Sequence, residues 1–277
     1  AQIVATRIYV DNSSVFFTPN GNVNTSVSMS AGGHAMVVQA WDANGKIYKA
    51  SLTLTVSGGG GGIPGNAQLI DNIDQMSGWQ NCDVCAGQGG HGFPSPHSLT
   101  QWVGSPSMDG QSAQYWLGGS RPYGSALWWK QLGARSNASN FAYDLYFYSN
   151  NPGAAQALEF DVNQSVGGKK FIFGTQCNIK GSHQWDVWNR DHWEPTGVGC
   201  GQPSAYTWHH LVWQFKRSGG QVVFVSVTLD GHMSYINRSY SAIGSGVQEL
   251  NVAVQLDGDY REENFSIWVD RMKLYYW

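Results

Sequence analysis

Residues 157–164 read Ala-Leu-Glu-Phe-Asp-Val-Asn-Gln. Successive side chains of an extended strand point to opposite faces, so Glu159, Asp161 and Asn163 share one face and Leu158, Phe160 and Val162 the other. Carboxylates two apart on one strand have Cα atoms about 6.5–7 Å apart, so each disfavours ionisation of the other and one pKa rises. A proton held on one carboxyl beside an ionised partner is what general acid/base catalysis requires. A second polar strand, residues 251–257, sets Gln255 and Asp257 against Val252, Val254 and Leu256, which makes Asp257 the first further candidate acid. Asp186 and Glu194, placed on loops or edge strands, stand behind it.

Aromatic residues accompany these acids. Trp185, Trp188, Trp193, His183 and His192 crowd between Cys177 and Cys200. Indole rings stack on the apolar face of a sugar, whose rim hydroxyls need Asn, Gln, Asp or His partners, so the expected partner is a polysaccharide and Trp185, Trp188 and Trp193 are its expected platform. Trp208, Trp213 and Trp268 lie in alternating strand patterns and are expected in the core. Trp128 and Trp129 are adjacent and must point opposite ways, as must His209 and His210, which therefore cannot form a simple shared metal site.

The rest of the chain narrows the chemistry. Net charge is −3 over 277 residues, with no run of Lys or Arg, so nucleic acid and membrane surfaces are not expected partners. No apolar stretch is long enough to span a bilayer, and the first residues lack the pattern of a signal peptide, so a secreted protein with its export signal removed is expected. The sequence contains no zinc-enzyme spacing, nucleophile elbow or Walker loop. No metal site and no cofactor are therefore expected, a structural calcium ion bracing a loop being the one exception left open. The four cysteines fit disulfides better than a four-thiolate zinc site, because Cys82 and Cys85 form a short knuckle while Cys177 and Cys200 do not; the expected pairs are Cys82 with Cys85 and Cys177 with Cys200.

Holding such groups in place requires strands. Helical periodicity is nearly absent, and short alternating runs recur between Gly, Asn and Ser turns. A glycine run followed by Ile-Pro-Gly marks a linker at residues 58–65, dividing residues 1–57 from residues 66–277. The first part has strand patterns at residues 3–10, 15–17, 23–29, 34–41 and 46–56, with an Asn44-Gly45 hairpin turn. It resembles the later part of a bacterial immunoglobulin-like module, truncated at its start, and reads as a spacer or docking unit. The second part has ten strand patterns: residues 113–117, 126–131, 141–148, 157–163, 171–176, 184–189, 209–216, 222–229, 250–257 and 266–276. The expected fold class is all-β, a partial immunoglobulin-like module followed by a jelly-roll sandwich of two antiparallel sheets.

The segment from Glu159 to Gln164 resembles the E-x-D-x-x-E strand of the concanavalin-like jelly-roll glycoside hydrolases, laminarinase-type and cellobiohydrolase-type. The resemblance implies a nucleophile at Glu159, a helper at Asp161, and a β-bulge that brings the last residue onto the same face. Here that residue is Gln164, and an amide cannot act as the acid/base, which passes the proton to another group such as Asp257. Asn163, Gln164 and Gln255 then join the tryptophans as substrate-binding residues. The expected function is endo-acting hydrolysis of a neutral β-glucan-like polysaccharide by a secreted monomer; the alternative is a non-catalytic, lectin-like glycan binder. A polysaccharide lyase on this fold would want a basic cleft, and cations are scarce.

Overall fold

The structure is a computed structural model that describes residues 2–25, 27, 32–56, 63–83 and 93–277. Two compact units result, residues 1–62 and residues 63–277. The expected linker residues 58–62, His91 and Cys85 lie outside the described residues, as does part of the strand expected at 23–29.

The first unit is a four-stranded antiparallel sheet of β1 (Ile3–Val10), β2 (Ser13–Thr18), β3 (Gly32–Asp42) and β4 (Ile47–Val56), in the order β2-β1-β3-β4. Ile8 and Val10 are buried, while Asp11, in the β1–β2 turn, ties that turn to β3 by accepting from His34 at 2.6 Å and from the Ala35 amide at 3.0 Å. Among the described residues this unit has no second sheet, and residues 23–25 and 27 are not strand.

The second unit carries the site. One sheet runs in the order β16 (His192–Gly199), β15 (Gln184–Asn189), β14 (Thr175–Cys177), β12 (Ala155–Val166), β21 (Glu249–Gly258), β10 (Gly124–Gln131) and β6 (Gln80–Cys82). At its margins β13 (Lys169–Phe173) pairs with β12, β20 (Ile243–Gly244) with β13, and β7 (Phe93–Pro94) runs parallel to β10. The other sheet runs β19 (His232–Ser241), β18 (Gln221–Leu229), β17 (Trp208–Ser218), β11 (Asn140–Ser149), β22 (Phe265–Tyr276), β9 (Ser112–Leu117) and β8 (His97–Val103), with β5 (Gln68–Ile70) beside β22. The only helical pieces among the described residues are two 3-10 turns.

The alternation of apolar side chains explains the layering. Leu158, Phe160 and Val162 of β12, with Leu250, Val252, Val254 and Leu256 of β21, meet Phe141, Tyr143, Leu145 and Phe147 of β11 in one buried core. Ring pairs cross between the sheets: Phe147 with Phe160 at 5.4 Å, Phe141 with Phe173 at 5.7 Å, and Trp185 with Trp213 at 5.3 Å. The ten strands read from the sequence all occur, the 171–176 run being split at Gly174 into β13 and β14. Strands β6, β8, β16 and β19 were not read from the sequence; they lie toward the sheet margins, where few of their residues are fully buried.

Candidate functional site

Glu159 and Gln255 sit opposite each other on β12 and β21, and the register runs without a break from Ala157 opposite Asp257 to Ser165 opposite Glu249. That pairing builds rows across the outer face of the sheet. One row runs Leu127, Gln255, Glu159, Gln176, Asp186, Pro195; the next holds Trp129, Ala253 and Asp161. These side chains line a trough of about 780 Å³ whose walls include Trp129, Trp188, Trp193 and Tyr123. The small residues Ala253 and Gly174 keep the floor low between Trp129 and the Trp188–Trp193 pair. A Cβ on Gly174 would lie 2.8 Å from that of Trp188, so glycine is what admits the indole there. Trp188 and Trp193 are themselves edge to face, 5.0 Å between centroids.

The acids occupy the trough floor. Glu159 is 5% exposed and Asp161 and Asp257 are half-buried. Gln255 Nε2 donates to Glu159 Oε1 at 2.6 Å and to Asp257 Oδ1 at 3.1 Å. Burial first, then the negative fields of Asp257 and Asp161, and then a hydrogen bond with Asp257 push the Glu159 carboxyl well above the carboxylate range. Asp161 is raised to about 7, chiefly by burial; the Thr175 amide, donating to its Oδ1 at 2.7 Å, opposes the rise. Burial raises Asp257 to about 6, against the hydrogen bonds from Glu159 and Gln255. Burial and the neighbouring negative charge thus favour a proton on Glu159, beside Asp257 and with Asp161 poised near neutrality. Asp161 Oδ2 has no hydrogen-bond partner among the described residues.

One end of the trough is a polar nest. Buried Asp186 accepts from Gln176 at 3.1 Å, Asn178 at 2.8 Å and Ser182 at 2.7 Å, and Gln156 donates to Asn178 at 3.2 Å. Elsewhere Asn163 donates to Asn251 across the two central strands at 3.2 Å. The trough therefore offers aromatic faces, fixed amides and a carboxyl group that holds a proton.

The expected residues divide. Glu159, Asp161, Asn163, Gln255, Asp257, Trp188 and Trp193 all line the trough. Gln164 and Trp185 do not, which corrects their expected binding roles. With no bulge between Glu159 and Gln164, Gln164 falls in phase with Phe160 and Val162; it is fully buried, donating to the Arg135 and Ala138 carbonyls at 2.9 and 3.0 Å. Trp185 shares the phase of Val187 and packs in the core at 1% exposure. Glu194 is turned away from the trough, held by Asn189, His192 and Tyr240. His209 pairs with Asp230 and His210 with Asp144, on opposite faces. Sequence reasoning missed Trp129, Tyr123, Asn251 and the Gln156–Gln176–Asn178 group. Asn251 was readable, because it alternates in phase with Gln255 and Asp257.

Cys177 and Cys200 are bonded, and the 23-residue step between them contains the β15–β16 hairpin that carries Trp188 and Trp193. Cys82 is also in a disulfide, and Cys85, its expected partner, lies outside the described residues. Among the described residues no group of three His, Cys, Asp or Glu is arranged to hold a metal ion, and no helix is long and apolar enough to cross a membrane.

No protein-family model matches this chain, and no curated protein matches its sequence. Solved structures do match. An endo-β-1,4-glucuronan lyase from the fungus Trichoderma reesei is 11% identical, with 74% of this chain and 94% of that chain covered and a TM-score of 0.47. A structure of carbohydrate-binding modules from the β-sandwich superfamily covers 98% of this chain and 84% of its own at 10% identity and a TM-score of 0.40. A family 11 carbohydrate-binding module from Clostridium thermocellum, solved with a β-1,3-1,4-mixed-linked tetrasaccharide, is 14% identical over 75% of this chain and 94% of that one, with a TM-score of 0.36. At such identities function has to be argued from the trough itself.

Proposed function

We propose that the trough binds a polysaccharide chain and that its carboxyl cluster cleaves a glycosidic bond. The observation that carries this reading is the juxtaposition of the buried Glu159 carboxyl, whose proton affinity burial raises, and an Asp161 oxygen with no donor among the described residues, on the floor of an aromatic-walled trough. Their environments reverse the roles implied by the family resemblance. Glu159, kept neutral by burial and by Asp257, is the group able to protonate a leaving oxygen; Asp161 is the base or nucleophile on the same strand face. Asp257 holds the Glu159 proton in place, and Gln255 fixes both carboxyls. The acids disfavour an anionic glycan, so the substrate is a β-glucan-like chain without acid groups, met outside the cell by a monomer.

Non-catalytic binding is a second reading with an observation of its own. Glu159 and Asp257 both accept from Gln255 Nε2, at 2.6 and 3.1 Å, so one amide ties up both carboxyls and leaves that pair poorly placed to flank a glycosidic bond. Hydrolysis depends on Glu159 working with Asp161 instead.

One experiment separates the readings. Purified protein is incubated with a panel of polysaccharides, with product analysis, beside Glu159→Gln and Asp161→Asn. Release of oligosaccharides by the unaltered protein and its loss in both variants supports cleavage. Binding without release at any pH supports the second reading, and neither binding nor release overturns both.

A further inference from the structure

The trough is far more acidic than the molecule. Of the chain's 19 acidic residues five line it, namely Glu159, Asp161, Asp186, Glu249 and Asp257, whereas of its 16 basic residues only Lys170 does. These acids are spread out. Asp257 and Glu249 stand eight residues apart on β21, roughly 27 Å at the rise of a strand, with Glu159 and Asp161 between them on β12 and Asp186 two strands beyond β12. Aromatic rings are spread likewise: Trp129 on β10 and Trp188 on β15 are four strand spacings apart, about 19 Å.

A metal ion needs carboxylates converging on one point, and among the described residues no such group is found. Carboxylates distributed along an aromatic-walled trough instead match a polymer that repeats a positive charge. Ammonium groups give charge-assisted hydrogen bonds to carboxylate oxygens such as Asp161 Oδ2 and attract the faces of nearby indoles. We infer that the trough selects a β-linked glycan of amino sugars carrying free ammonium groups over the uncharged glucan of the same backbone. This inference rests on the glycan-binding reading above and names its substrate class.

The test is calorimetric binding of three β-1,4-linked hexasaccharides to the whole chain at about pH 6.5, where Asp257 is mostly ionised, Asp161 partly so and many amino groups are still ammonium: the glucosamine oligomer, its fully N-acetylated counterpart and the glucose oligomer. The glucosamine oligomer is expected to bind at least about tenfold more tightly than either uncharged one, with the advantage shrinking in high salt. Glu249→Gln, checked for an unchanged thermal midpoint, is expected to lower the ratio of glucosamine to glucose affinity. Equal or tighter binding of the uncharged oligomers overturns this inference and leaves the glycan reading standing. Failure of all three to bind overturns both.

Discussion

The side-chain amide of Gln255 lies 2.6 Å from the carboxyl of Glu159, its register partner on the neighbouring strand, and the same nitrogen also reaches Asp257. One neutral donor thus bridges two acids. Replacing Gln255 with Met keeps the volume and deletes the donor. Both carboxylates then lose a hydrogen bond that favours ionisation, so both pKa values rise. The expected result is a loss of hydrolysis of about 10- to 100-fold, with the alkaline limb of the surviving pH profile displaced to higher pH. A kcat/KM profile of Gln255→Met that coincides with that of the unaltered protein would falsify this account of the amide.

Activity should depend on pH in a direction set by the same neighbours. Cleavage needs Asp161 ionised and Glu159 protonated, so the acid limb of kcat/KM follows Asp161, near 7, and the alkaline limb follows Glu159. Asp257→Asn removes the negative charge that helps hold the proton on Glu159, and the alkaline limb is expected to move down. An alkaline limb that stays put in this variant would show that Asp257 does not tune Glu159.

The site was legible in the chain only where local alternation decides a residue's face. Strict alternation placed Glu159, Asp161 and Asn163 on one face, and Gln255 and Asp257 on another, without any structural knowledge. Gln164 was misplaced because the family resemblance implied a bulge, and a bulge leaves no mark in residue types; the uninterrupted register turned Gln164 inward. Trp185 was misplaced because clustering of tryptophans was given more weight than phase, although Asp186 shares its phase with Trp188 and not with Trp185. Trp128 and Trp129 had to face apart, but only the pairing of β10 with β21 shows that Trp129 meets the trough. Which strands become neighbours is a long-range property that local pattern does not carry.

Folding stability should fall as pH rises. Glu159, Asp161 and Asp257 are all raised in the folded protein above their ordinary carboxylate values. Their contribution is complete below the unfolded values near 4 and is lost as pH climbs through the folded ones, about 6 for Asp257 and about 7 for Asp161. The thermal midpoint is expected to drop between about pH 4 and 8. Asp161→Asn keeps the acceptor for the Thr175 amide and removes the charge, so it should flatten the drop and raise stability at the alkaline end by on the order of 1–3 kcal/mol. Parallel stability curves for the variant and the parent protein would rule out a raised Asp161.

Reduction of the Cys177–Cys200 bridge tests whether it braces the aromatic wall. The bridge closes a 23-residue step, for which chain entropy suggests about 3 kcal/mol of stabilisation. Because the closed segment contains Trp188 and Trp193, the reduced protein is expected to lose both thermal stability and glycan affinity. Loss of stability with unchanged affinity, measured below the melting range, would separate the bridge from the binding wall.

Trp185 and Trp188 lie three residues apart on one strand with opposite fates, and their substitutions should separate accordingly. Trp185→Ala removes a fully buried ring that packs against Trp213 and is expected to destabilise the fold by about 3–5 kcal/mol. Trp188→Ala removes a half-buried wall of the trough and should change stability by less than about 1 kcal/mol while weakening oligosaccharide binding roughly tenfold. Gly174→Ala should resemble Trp188→Ala, because the added methyl group collides with the Trp188 Cβ and pushes the indole off its seat. If denaturant titration shows Trp188→Ala as damaging as Trp185→Ala, Trp188 is core and the aromatic wall of the trough is lost.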